Sequence, residues 1–124
     1  MRNIFSIIAA VVIFLSAAVS LPAHHAFAAE FDNKKPVKIR GTLTKVEWVN
    51  PHMWLHIDVK GEDGKSVKWM IEGQAPNAML RRGMTKNSLP VGAEILVEGF
   101  QAKDGTNKAS VTRIQFADGR RVFD

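Results

Sequence analysis

The chain has 124 residues, a formal net charge of +5 and no cysteine. This length suits one domain that folds around its own core. The lack of cysteine excludes disulfides and a cysteine nucleophile, so a metal site would use histidine, carboxylate or methionine side chains or the chain terminus. The basic residues occur as isolated pairs rather than as a block, and we therefore predict no nucleic-acid partner.

The first 23 residues have the pattern of a secretory signal peptide. Arg2 gives a positive start, residues 4–19 are almost wholly apolar, and Pro22 and Ala23 supply a helix break and a small residue. The apolar run is shorter than the roughly 20 residues of a membrane-spanning helix. We therefore expect a signal helix over residues 1–23 and one domain over residues 24–124, periplasmic or secreted and without a membrane anchor after cleavage.

The cleavage point is open between two bonds. Cleavage after Ala23 leaves His24 as the first residue, whereas cleavage after Ala28 removes both His24 and His25. The second bond fits the small-x-small rule better, because Leu21 is large for the position three before the first bond.

Three Asp-Gly steps, at residues 63–64, 104–105 and 118–119, predict turns because both residue types tolerate positive φ. The runs between them are rich in strand-forming residues. They predict strands at residues 37–49, 53–60, 66–72, 94–102, 109–116 and 122–123. The first run alternates up to Leu43 and resumes in a shifted phase at Val46, which predicts a bulge near Lys45.

A short helix is predicted between the third and fourth strands. Pro76 suits its first turn, and Gly83 is a plausible end. Met79 and Leu80 would supply its apolar face. The order of elements predicts a mainly β fold, a small five-stranded OB-like barrel with one short helix. A meander sheet with one packed helix gives the same order, and both remain open.

The four histidines form two clusters, His24-His25 and His52 with His56. If cleavage exposes His24, its amine and its imidazole can bind one metal ion together. His52, which follows an Asn-Pro step at a strand entrance, is the natural third donor, and His25 would support either partner. Nitrogen donors in a tetragonal arrangement favour Cu(II), so copper is the predicted metal, with zinc as the alternative.

Glu30 and Asp32 lie close to this terminus in the sequence. We expect them to orient a ligating imidazole by a hydrogen bond to the ring nitrogen that does not bind the metal. His56 would stand roughly 13 Å from His52 along a strand, so we interpret it as a surface residue rather than a ligand of the same ion. In the simpler alternative, the terminal histidines form a solvated tail and His52 hydrogen-bonds a backbone carbonyl.

Alternation in the second strand places Leu55 and Ile57 on one face, and Trp54 and His56 on the other. OB-type barrels bind ligands across their second and third strands, which defines a second candidate surface. Its predicted residues are Glu47, Trp48, His52, Trp54, His56 and Lys68. We interpret all three tryptophans as core or half-buried sheet residues rather than as a ligand platform.

Several motifs resemble a family of small exported bacterial proteins that remains a domain of unknown function. The resemblance begins with HHAFAAEFD at residues 24–32 and continues through GTLTKVEW at residues 41–48 and the Asn-Pro-His step ending at His52. Further matches are Ala75-Pro76, Leu80-x-Arg82-Gly83, Leu89-x-x-Gly92 and Val97-x-Gly99. The chain departs from the family at Ala26, usually serine, and at Met84, usually tryptophan. The resemblance implies export and an OB-like fold, favours retention of the double histidine, and supplies no settled function.

These patterns favour an exported metal-binding protein, a carrier or an accessory to a redox system, with a periplasmic protein as a further candidate partner. The alternative is an OB-type binding module for a small ligand or a partner protein without metal. Enzymatic activity stays open but is not favoured, since no acid–base pair is evident and a domain of this size has little room for a deep substrate pocket.

Overall fold

Residues 31–124 form six β-strands and one short helix in the computed structural model, which describes residues 29–124. The strands are β1 (Phe31–Glu47), β2 (Trp54–Lys60), β3 (Ser66–Glu72), β4 (Glu94–Ala102), β5 (Lys108–Phe116) and β6 (Arg121–Phe123), and the helix α1 is Pro76–Arg81. None of the helices in this described part is long and apolar enough to cross a membrane. The predicted signal peptide lies outside the described residues.

The strands pair in the order β3-β2-β1-β4-β5-β6, with antiparallel neighbours throughout. One further pairing joins β3 to β5 in parallel, from Met70 with Lys108 to Glu72 with Ser110. Strands β1 to β4 therefore have two hydrogen-bonded neighbours each, and β5 has three. The prediction of a mainly β fold with one short helix between the third and fourth strands is confirmed.

The first strand is longer than predicted. It begins at Phe31 rather than at residue 37, because Phe31 pairs with Ala102 and the ladder to β4 resumes at Pro36. The polar residues at 32–35 conceal this extension in the sequence. The predicted bulge is confirmed, since the register to β2 shifts between Leu43 and Lys45.

All three predicted Asp-Gly turns form, but only the glycines adopt positive φ, with values from 75° to 93° at Gly64, Gly105 and Gly119. The aspartates contribute differently. Each accepts a hydrogen bond on Oδ1 from the backbone N–H two residues further on, at 3.0 Å. These are the local side-chain contacts that make Asp a turn residue.

The core consists of the inner faces of the strands together with three methionines that lie outside the strands. Its fully buried large side chains are Leu43, Met53, Leu55, Ile57, Ile71, Met79, Met84, Ile95, Val97 and Ile114. Burying each such side chain contributes about 1.5–3 kcal/mol, so a core of this size can hold a domain without disulfides. Met79 faces this core as predicted, but the prediction for Leu80 is wrong, because 48% of Leu80 is exposed.

Candidate binding face on strands β2 and β3

The outward side chains of β2 and β3 form one continuous surface. Leu55, Ile57 and Ile71 point inward and are fully buried, so their neighbours along each strand point outward. We call this surface the β2–β3 outer face. It comprises Trp54, His56, Asp58, Lys68, Met70 and Glu72, with Lys45 and Glu47 of β1 on one side and Lys108 and Ser110 of β5 on the other.

Trp54 occupies one end of this face. Trp48 and Trp69 are half-buried and pack against the core, which confirms the interpretation of these two tryptophans. Trp54 is also half-buried but stands on the opposite side of its strand from Leu55. The Lys108 ammonium lies 5.4 Å from the Trp54 ring centroid and 5.7 Å from that of Phe31. At these distances a cation is attracted by the π-systems, which holds Lys108 beside the tryptophan.

His56 belongs to a chain of polar contacts across β1 and β2. Its Nε2 donates to Glu47 Oε2 at 2.8 Å, while Lys45 Nζ lies 3.0 Å from Glu47 Oε1. The hydrogen bond from His56, and then that from Lys45, lower the pKa of Glu47 below its ordinary value. The carboxylate is therefore ionised and can only accept, which assigns the Nε2 proton to His56. This nitrogen is engaged within the sheet and is not offered to a metal.

His52 is fixed by the chain that follows β3. Its Nδ1 lies 3.0 Å from the Gly73 carbonyl oxygen and 3.6 Å from Glu72 Oε1. Because a carbonyl only accepts, Nδ1 carries a proton and Nε2 is the nitrogen left for an external partner. Backbone hydrogen bonds from Met53 to Gln74 and from Gly73 to Met53 fix the two segments together. The hydrogen bond to a backbone carbonyl proposed for His52 in the simpler alternative is present.

The predicted metal constellation is only partly within the described residues. His24 and His25 lie outside them. Among residues 29–124, no three histidine or acidic side chains are placed to hold a metal ion. Glu30 is exposed, and Asp32 Oδ1 accepts a hydrogen bond from the Lys34 backbone N–H at 2.9 Å. The metal site built on His24, His25 and His52 stays a prediction.

Sequence reasoning missed Met70, Glu72, Lys108 and Ser110 of this face. Met70 and Glu72 could have been found, since they alternate with Trp69 and Ile71 of a correctly predicted strand. Met70 is 38% exposed and stands between Lys68 and Glu72 on the outward side of β3. Lys108 could not have been found, because its position depends on the parallel pairing of β3 with β5.

The chain belongs to DUF6152, a family of unknown function, whose sequence profile matches residues 11–112. This confirms the resemblance to a family of unknown function. No curated protein matches the sequence.

Among the solved structures that share the fold, two are of the mitochondrial single-stranded DNA-binding protein Rim1 from S. cerevisiae. The first is 14% identical, with a TM-score of 0.53 over 69% of this chain and 95% of that one. The second, labelled with selenomethionine, is 20% identical, with a TM-score of 0.51 over 67% and 93% of the two chains. At this level of sequence identity the similarity is evidence for the fold alone. The neighbours are OB-fold-like, in agreement with the predicted fold class.

The exclusion of nucleic acid as a partner, predicted from the scattered basic residues, is wrong. The same fold serves proteins that bind single-stranded DNA. Charge spread along a sequence does not define the charge on one face of a sheet, so it cannot exclude a class of ligand for this fold.

Proposed function

We propose that this protein is an OB-type binding module, with β1 to β5 closed into a small barrel, that holds its partner on the β2–β3 outer face. The observation that carries the proposal is the half-buried Trp54 standing on that face with the Lys108 ammonium 5.4 Å from its ring. Tryptophan and methionine are enriched in protein interfaces, and tryptophan is among the residues that dominate their binding energy.

The charges on this face favour a partner protein. Three lysines and three carboxylates are interspersed on it: Lys45, Lys68, Lys108, Glu47, Asp58 and Glu72. Binding of a polyanion is driven by an excess of positive charge that releases counterions. Balanced charge around an aromatic centre suits a protein surface of mixed polarity better. Single-stranded DNA, the ligand in the names of the proteins that share the fold, forms the second arm of the test.

The test is site-specific photocross-linking in the native cells. A benzoylphenylalanine at position 70, in place of Met70, is expected to give one discrete cross-linked product. The matched control carries it at position 40, in place of Arg40, on the β1–β4 side of the sheet. Cross-linking from position 70 and not from position 40 supports the proposal, while equal yields from both positions contradict it.

The second arm uses a fluorescent oligodeoxythymidylate of about 20 nucleotides, longer than the usual site of one OB fold. Fluorescence anisotropy measures whether the purified protein binds this oligonucleotide saturably at physiological salt. Salt-dependent binding that is lost when Trp54 and Lys108 are changed would support the β2–β3 outer face as the binding surface. The partner would then be single-stranded nucleic acid and not a protein.

A second candidate function is copper binding by an exported protein that begins at His24. The geometry of His52 favours it, since ligating histidines usually donate their other ring N–H to a carbonyl or carboxylate, which fixes the tautomer and the ring. His52 has this arrangement through Gly73, and 48% of its side chain is exposed. In this proposal residues 1–23 direct export, and the amine and imidazole of His24 complete the ligand set with His52.

A further inference from the structure

A cleft of about 470 Å³ lies on the outer surface of β1, β4 and β5, on a different part of the sheet from the β2–β3 outer face. Its lining residues are Pro36, Val37, Lys38, Glu98, Gly99, Phe100, Thr112 and Arg113. The volume lies within the range of small-molecule sites. The lining combines an aromatic and two aliphatic residues with two cations and one carboxylate.

A β-bulge shapes this cleft. Glu98 pairs with Arg113 and Gly99 pairs with Val111, so Thr112 is an extra residue on β5. A Cβ at Gly99 would collide with the Ser110 carbonyl, and only glycine allows β5 to approach this closely. Bulges bend the strand that carries them and redirect its side chains, and they are common beside functional sites.

The charged groups form a row across three strands. Lys38 Nζ lies 3.6 Å from Glu98 Oε1, and Arg113 Nη1 lies 3.2 Å from Glu98 Oε2. The Glu98 carboxylate therefore forms ion pairs with both Lys38 and Arg113. Arg113 Nε also lies 3.9 Å from Asp124, which is bound at 2.9 Å by Arg121. Among the lining residues, the charges sum to an excess of one positive charge.

We propose that this cleft binds a small organic anion, a carboxylate or sulfonate with a flat apolar body. Lys38 and Arg113 hold its anionic group. When the ligand binds, ion pairs with its anionic group replace part of the ion pairing of these two residues with Glu98. Its apolar body lies against Phe100 and Pro36. The exchange is feasible because Lys38 and Arg113 are 64% and 44% exposed, and exposed ion pairs contribute little stability.

The probe is 8-anilinonaphthalene-1-sulfonate, an aromatic sulfonate whose fluorescence rises when it leaves water. Titration of the folded protein is expected to show saturable binding at one site. Arg113→Ala should weaken it about tenfold, as expected for a lost charge-assisted hydrogen bond. Glu98→Gln should tighten it several-fold, because it removes the competing carboxylate and keeps the side-chain size.

The matched control is Arg40→Ala, which removes an exposed arginine of β1 that pairs with Glu94 and does not line the cleft. It changes the net charge as Arg113→Ala does, and the affinity should stay at the wild-type value. Equal weakening by both variants, or weaker binding by Glu98→Gln, would overturn the proposal. Melting curves check that each variant is folded at the titration temperature.

Amide chemical shifts locate the probe. The signals of Gly99 and Thr112 are expected to move on titration, with those of Met70 and His56 unchanged. Movement confined to Met70 and His56 would place the probe on the β2–β3 outer face and overturn the proposal for the cleft, whatever the affinities.

Discussion

Changing Trp54 to alanine should weaken binding of the cross-linked partner by at least about thirtyfold, because truncating a dominant interface residue costs about 2 kcal/mol or more. The effect should be large for a structural reason. The Trp54 ring offers a large apolar surface to the partner, and it holds the Lys108 ammonium 5.4 Å from its centroid. Truncation to alanine therefore removes the apolar contact with the partner and also the ring that positions the lysine. Calorimetry with the purified partner measures the change.

Two variants make this prediction specific. Trp54→Phe keeps an aromatic face and should retain most of the affinity, while Trp69→Phe, in a side chain packed on the core, should leave the affinity unchanged. Both should melt as single transitions. Wild-type affinity in Trp54→Ala would show that the partner binds elsewhere.

Changing His52 to alanine should remove tight Cu(II) binding from protein that begins at His24, weakening it by more than about 100-fold. Loss of an outer partner of a metal ligand already costs 10–100-fold, and the loss of a ligand should exceed that. Affinity should also fall as the pH is lowered, since protons compete with copper for the imidazoles. Intact mass of the secreted protein must first show the start at His24.

The control for the copper prediction is His56→Ala. His56 is bonded through Nε2 to Glu47 and should not contribute, so copper affinity should match the wild type. A secreted protein that starts at Ala29, or equal copper binding by wild type and His52→Ala, would contradict the copper site without touching the binding-face proposal.

Most of the fold could be predicted from local pattern. Alternation and Asp-Gly turns gave the inner residues of β2 and the limits of β3 and β4, because these depend on near neighbours in the chain. The start of β1 and the exposure of Leu80 could not be read this way. Phe31 becomes strand through Ala102, more than half the domain away, and Leu80 is placed by how α1 rests on the core.

The candidate site was predictable in the same uneven way. Trp54 and His56 followed from alternation within one strand, and the hydrogen bond of His52 to a carbonyl was one of two anticipated outcomes. The pairing of His56 with Glu47 depends on the register of β1 after its bulge, and Lys108 reaches Trp54 only because β5 joins β3. Long-range pairing therefore decides which charges surround the tryptophan.

The indole N–H signals of the three tryptophans test the binding face most directly. With ¹⁵N-labelled protein and the purified partner, the predicted result is a shift of the Trp54 signal at saturation while those of Trp48 and Trp69, packed on the core, stay in place. An unmoved Trp54 signal in a saturated complex would contradict binding on the β2–β3 outer face.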